Sequence, residues 1–246
     1  MRRFALISDI HGNLPALDAV LADIAAGGRT VDVYCLGDLV GYGPDPAGVI
    51  ERIRAAGIPT IRGNYDDGVG ARRGSCGCYY ATEQARRDGE SSYTFTDVAL
   101  SAADHEWLAA LPDSIRLEAE GLRVLLSHGS PRKINEYLGT DRADELLARL
   151  ADKAQADVVC VGHVHIPYHR QLTGANGRRI DYVSSGSVGK PKDGDTRAAW
   201  VEVTLGGQCD LVSAAIHRVA YDLESVAAAM LAAGLPPALA EALRHA

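Results

Sequence analysis

The sequence predicts an α/β fold of four layers, α-β-β-α, in which two mixed sheets pack face to face and are flanked by helices. Three observations predict it. Five short apolar runs rich in strand-favouring residues each lead to an Asp, His or Asn, as strands do when they empty into the ligand-holding edge of an open sheet. Up to Arg62 these runs alternate with helical patterns, the mark of β-α-β units with right-handed crossovers. Beyond Pro112 hairpin signals follow one another, which calls for a second, largely antiparallel or mixed sheet.

The first run, 4–8, precedes Asp9 and His11. Asn13 can cap a helix with Pro15 in its first turn, Leu14, Leu17, Leu21 and Ile24 follow at helical spacing, and Gly27-Gly28 ends it. Residues 31–36 then form a buried parallel strand that stops at Gly37-Asp38. Asp45-Pro46 opens a second helix burying Val49, Ile50 and Ile53, Gly57 stops it, and a strand over 58–62 leads to Gly63-Asn64. Residues 65–92 show no clean period, although 79–87 suits a helix. Such an insert beside ligand residues is expected to form the wall or lid of a site.

Ser101 and Asp104 have the spacing of a capping box for a helix carrying Trp107, Leu108 and Leu111. Strands over 114–118 and 122–127 pair as a hairpin, the second ending on His128. A helix is expected over 141–150 and a strand over 157–161, before Gly162-His163-Val164-His165. Asn176-Gly177 signals a hairpin between 168–172 and 178–183, and Gly206-Gly207 another between 198–205 and 209–219. The alanine-rich stretch 223–246 is helical, broken at Gly234-Leu235-Pro236-Pro237, and is expected to cover an edge or join a partner subunit.

One domain, 1–246, fits this length. A net charge of −7 argues against a dedicated nucleic-acid or anionic-membrane surface, which needs a clustered basic face. No run approaches the ~18 apolar residues of a membrane span, and Met1-Arg2-Arg3 leads straight into a strand pattern, so a cytoplasmic protein is expected. Five scattered cysteines do not form a disulfide framework. Cys35 and Cys160 lie inside strands as packing residues, and Cys76 and Cys78 match no zinc spacing and read as an uncommitted loop.

In order, Asp9-x-His11, Gly37-Asp38, Gly63-Asn64, His128 and Gly162-His163-x-His165 resemble the signature of the calcineurin-like binuclear metallophosphoesterases. The likeness spans about 4–211, and Ser127-His128-Gly129-Ser130-Pro131 with Gly186-Ser187-Val188-Gly189-Lys190-Pro191 is similar to the small bacterial and archaeal phosphodiesterase-like branch. The resemblance implies two divalent transition-metal ions: Asp9, His11 and His165 on one, Asn64, His128 and His163 on the other, and Asp38 bridging. Oxygen and nitrogen ligands without thiolate suit Mn, Fe, Zn, Co or Ni better than Mg or Ca, and the family favours Mn. The implied reaction is attack of hydroxide, held by the metal pair, on the phosphorus of a small nucleotide-like phosphodiester, with Asp38, His11 and Asn64 as catalytic residues.

Tyr65 stands where the phosphatases of the superfamily carry a histidine, and a phenol is a poor proton shuttle at neutral pH. Tyr65, Arg72, Arg73, Lys190, Lys192 and Arg197 are the candidate substrate contacts. The loop 186–197 is not a nucleotide P-loop, because Ser184 replaces its first glycine and Pro191 its Ser or Thr. Rival readings are a dinucleoside polyphosphate hydrolase, a serine/threonine protein phosphatase, and a non-catalytic scaffold. A homo-oligomer is compatible with all of them.

Overall fold

The computed structural model describes residues 1–27, 31–206 and 212–245. The chain begins with β1 (Arg2–Ile7), α1 (Leu14–Ala26), β2 (Asp32–Cys35) and α2 (Pro46–Ala55), continues through α3 (Asn64–Gly70), α4 (Glu83–Ala99) and α5 (Ala102–Ala110), and enters the hairpin β3 (Ser114–Ala119) and β4 (Leu122–Ser127). Then come α6 (Asp144–Ala154), β5 (Val158–Val161), β6 (Pro167–Thr173), β7 (Arg179–Ser185), β8 (Ala198–Leu205), β9 (Val212–Val219), α7 (Leu223–Ala232) and α8 (Pro237–His245).

Two mixed sheets result, in the orders β2-β1-β8-β9 and β3-β4-β5-β7-β6. Strand alternation builds the layers: Phe4 and Leu6 of β1, Val124 and Leu126 of β4, and Val158 and Cys160 of β5 share the core between the sheets. Their neighbours point outward. Ala5 and Ile7 meet the Ala16, Leu17 and Val20 face of α1, while Leu125, Val159 and Val161 meet Leu147, Leu150 and Ala151 of α6. The expected four layers are present. The hairpin of β8 and β9 departs from the expected placement: β8 runs antiparallel beside β1 and so completes the first sheet rather than the second. Gly28, Gly207 and Cys209, named in the sequence reading, lie outside the described residues.

Local signals held at several ends. Asn13 accepts the amide of Ala16 at 3.1 Å, Asp45 that of Gly48 at 2.8 Å, and Ser101 with Asp104 forms the capping box of α5. Three expectations need correction. Residues 58–62 make only a single parallel bridge, Thr60 to Cys35, because Pro59 has no N–H and the amide of Arg62 goes to Pro112 at 2.8 Å. The stretch 65–92 is mostly helical: its irregular part is 71–82, and the helix expected over 79–87 is α4, which starts later and runs on to Ala99, an extent left unsignalled because its buried face is Asp88, Gly89, Ser92, Tyr93 and Thr96, mostly small or polar residues without an apolar period. The helix expected over 141–150 starts and ends later, closing at Gln155 in the left-handed region.

α7 and α8 fold back on the body, where Val226, Met230, Leu239 and Leu243 bury themselves with Tyr42 and Phe95. The tail therefore covers the loop that follows Asp38. Among the described residues no helix is long and apolar enough to cross a membrane.

Candidate metal centre

Each proposed ligand sits where a strand or bridge gives out into a loop. Asp9 and His11 follow β1, Asp38 follows β2, His128 follows β4, and His163 and His165 follow β5, while Asn64 is the first residue of α3. Asp9, His11, Asp38, His163 and His165 all adopt left-handed backbone, with φ of 52°, 51°, 53°, 65° and 61°. Such residues cost energy and persist only where the surroundings over-determine them. Here the surroundings are a lattice of cross-loop bonds: Asp9 N–H to Gly37 at 2.9 Å, His11 N–H to Asp38 at 3.0 Å, Gly189 N–H to Asp9 at 3.0 Å, and Gly162 N–H to His128 at 2.8 Å.

The loops bring two buried groups together, Asp9 with His11 and His165, and Asp38 with His128 and His163. In the first, His165 Nε2 lies 3.2 Å from Asp9 Oδ1 and 3.3 Å from His11 Nε2. Asp38 stands between the groups, its Oδ2 being 3.7 Å from His11 Nε2 and 3.4 Å from His128 Nε2. Asn64 joins the second group through Oδ1, 3.1 Å from His128 Nε2. Backbone carbonyls fix three rings by their other nitrogen: Val40 holds His11 Nδ1 at 2.9 Å, Leu36 holds His128 Nδ1 at 2.7 Å, and Lys190 holds His165 Nδ1 at 2.5 Å. That leaves each Nε2 facing the centre, the outer-shell arrangement of a metal-binding histidine.

Asp9 Oδ1 and His163 Nε2 are buried and have no hydrogen-bond partner among the described residues. Orphaned acceptors of this kind need an explanation, and a cation satisfies both. Burial pushes the imidazoles of His11 and His163 down to about 4 and about 3, and that of His165 well below its ordinary value, so these rings are neutral donors. Burial also works against charge on His128, but Asp38 overrides it and lifts the ring to about 9. Burial raises Asp9 to about 6. A carboxylate site that resists its own charge and a ring that clings to a proton are what a divalent cation relieves. The donor set of carboxylate oxygen, amide oxygen and imidazole nitrogen fits transition-metal ions.

The substrate candidates fall into three sets. Lys190 and Lys192 are near enough for their charges to depress His11 and His165 further, and Lys190 Nζ sits over the Tyr42 ring, 4.7 Å from its centroid. Arg73 forks onto Asp67 and Arg197 onto Asp195, Arg72 is exposed, and no hydrogen bond or ion pair joins these three to the centre among the described residues. The Tyr65 side chain is wholly buried, edge-on to His11 at 5.4 Å and against Tyr42 at 4.9 Å, behind the His11 ring. The Tyr65 amide donates to Asp38 Oδ1 at 2.8 Å.

Sequence reasoning passed over Asp66 and Tyr137, and it left Cys78 in an uncommitted loop. Asp66 accepts the amides of Asp38, Leu39 and Gly63 at 2.7, 2.9 and 2.9 Å and so shapes the Asp38 loop. An acid three residues after Gly63 could have signalled that role. Gly63 itself must be glycine, since a Cβ there would collide with the Asp38 amide and carboxylate. Tyr137 lies with its ring 4.1 Å from that of His163, and Cys78 accepts from Asn64; neither has a sequence signal.

Residues 2–206 match the calcineurin-like phosphoesterase superfamily domain. The uncharacterized protein MJ0912 of Methanocaldococcus jannaschii is 31% identical over 97% of this chain and 96% of its own. A metallophosphoesterase from Sphaerobacter thermophilus superposes with a TM-score of 0.73 at 30% identity, covering 99% of this chain and 98% of that one. The hypothetical protein PH1004 from Pyrococcus horikoshii OT3 shares the fold with a TM-score of 0.82 at 21% identity, over 100% of this chain and 98% of its own. The chain therefore belongs to the calcineurin-like phosphoesterase superfamily.

Proposed function

We propose that the protein is a metal-dependent phosphodiesterase for small nucleotide-like substrates, with Asp9, His11 and His165 on one ion, Asn64, His128 and His163 on a second, and Asp38 touching both. The observation that carries the reading is the position of Asp38 Oδ2, within 3.7 Å of His11 Nε2 and 3.4 Å of His128 Nε2. Two ions held there, Mn favoured, would supply Lewis-acid charge to a phosphoryl group and would lower the pKa of a water. The protein's own part is to hold the donors rigid. The Val40, Leu36 and Lys190 carbonyls aim three imidazoles, and the Tyr65 amide and Asp66 aim Asp38.

Lys190 and Lys192 are the substrate-facing cations of this reading, balancing phosphate charge at the mouth of the centre. Preference for a diester follows from Tyr65. The position after Asn64 offers no proton donor, because the Tyr65 side chain is wholly buried and burial raises its phenol well above the ordinary value. Substrates with leaving groups that need little protonation are then cleaved best. The test is Mn-supplemented hydrolysis of a bis-aryl phosphate, cyclic nucleotides, dinucleoside polyphosphates and an alkyl monophosphate. Faster cleavage of the diesters is expected. A preference for the monoester would overturn the diesterase reading, and absence of turnover on the whole panel would favour a scaffold.

A further inference from the structure

Asn64 is turned toward its site by the carbonyl of Cys76 and the thiol of Cys78. Cys76 and Cys78 flank Gly77 in the stretch between α3 and α4, with their Sγ atoms 2.7 Å apart. Cys76 is buried and Cys78 half-buried. Gly77 takes a left-handed φ of 65°, and Asn135 Nδ2 donates to its carbonyl at 2.8 Å, so the tight turn that juxtaposes the sulfurs is pinned from outside. The Asn64 amide nitrogen donates to the Cys76 carbonyl at 3.0 Å and to Cys78 Sγ at 3.1 Å, which leaves Oδ1 directed at His128. Cys35 and Cys160 are wholly buried in separate strands and have no such neighbour among the described residues.

We propose that Cys76 and Cys78 form a modification site: they close reversibly into a disulfide, and closure loosens Asn64 and weakens divalent-cation binding at the Asn64, Asp38, His128 and His163 group. The inference rests on Asn64 acting as a ligand in the reading above. Closure brings the sulfurs to ~2.05 Å, a movement of less than about 1 Å. Because only one residue separates the two, almost no chain entropy opposes it. With a hydroperoxide as oxidant, both S–H bonds break and the S–S bond forms. The two electrons cleave the O–O bond, and one alcohol and one water leave, or two waters when the oxidant is hydrogen peroxide. An added dithiol reverses the step and becomes a disulfide itself. Cys78 Sγ is drawn toward Cys76 and is a poorer acceptor as a disulfide, so the Asn64 amide loses one of the two bonds that set its direction.

The full chain, treated with hydrogen peroxide and then with dithiothreitol, tests this. Trypsin releases 74–86, which contains both thiols and no other cysteine. The oxidised peptide should be lighter by two hydrogens and refuse alkylation, and dithiothreitol should restore it. In parallel, Mn titrated into oxidised protein should bind about tenfold more weakly at one of its two sites and unchanged at the other, as outer-shell losses do. Cys76→Ser cannot close the bridge and keeps Cys78 beside Asn64, so peroxide should leave its Mn affinities alone. An open peptide after oxidation, a closed peptide with both affinities intact, or the same loss in Cys76→Ser would each overturn the proposal. No substrate is present in these measurements, so a failure of the diester preference is a separate result. Reduced protein binding a single ion would instead contradict the two-metal assignment before any oxidant is added.

Discussion

Asp66 shows how much of the centre depends on a residue that touches no proposed ion. Its carboxylate takes the amides of Asp38, Leu39 and Gly63, all buried, and thereby sets the left-handed turn that presents Asp38. Removing it leaves three donors without partners, each costing about 1–3 kcal/mol. Asp66→Ala should therefore lose at least ~3 kcal/mol in urea unfolding and bind Mn more weakly, with Asp66→Asn intermediate because one oxygen remains. A change within about 0.5 kcal/mol of wild type for Asp66→Ala would contradict this role. At this scale the sequence was legible for groups with a periodic or ordered context. Asp9, His11, Asp38, His128, His163 and His165 stand at element ends and converge as their places after apolar strand runs suggested. Tyr65 and Cys78 were not legible, since whether a side chain faces inward or accepts from Asn64 depends on how α4 and the 71–82 stretch pack against α3.

Among the elements, β4, β5 and β7 are tied at one end by a single acid. Asp157 accepts from the Arg123 amide and guanidinium, each at 2.9 Å, and also pairs with Arg178. The bonds from Arg123, aided by Arg178, hold its carboxyl down from 3.8 to about 2. A folded-state pKa depressed in this way contributes stability that is complete above the unfolded value and is lost as pH falls through the folded one. The window is thus roughly pH 4 to 2. Asp157→Asn should cost about 1–2 kcal/mol at pH 7, and the wild-type advantage should vanish across that window in acid unfolding. A variant difference that stays constant from pH 7 to pH 2 would show that packing, not charge, is responsible. The elements built on an apolar run or a cap, such as α1, α2, α5, β4 and β5, were legible to within a residue or two. The bridge at Thr60 and the polar inner face of α4 were not, because a prolyl nitrogen and small buried residues defeat the periodic signal.

For the whole molecule, the loops after the strands of two sheets meet at one edge, and α7 and α8 close over the Tyr42 loop beside it. The layers could be foreseen because β-α-β units in the first part of the chain give way to consecutive hairpins beyond Pro112. The assignment of the β8 and β9 hairpin to the first sheet could not, since a hairpin signal fixes its own pairing and not its neighbour. What unites the sheets chemically is Asp38, whose carboxylate faces both candidate ion groups. The most direct test is the metal content of wild type and Asp38→Asn after Mn loading and desalting, with bis-aryl phosphate hydrolysis measured on the same samples. The account predicts two ions per wild-type chain, loss of tight binding at both sites in Asp38→Asn, and loss of hydrolysis by about a hundredfold or more. A folded Asp38→Asn that keeps two tightly held ions and normal turnover would contradict it.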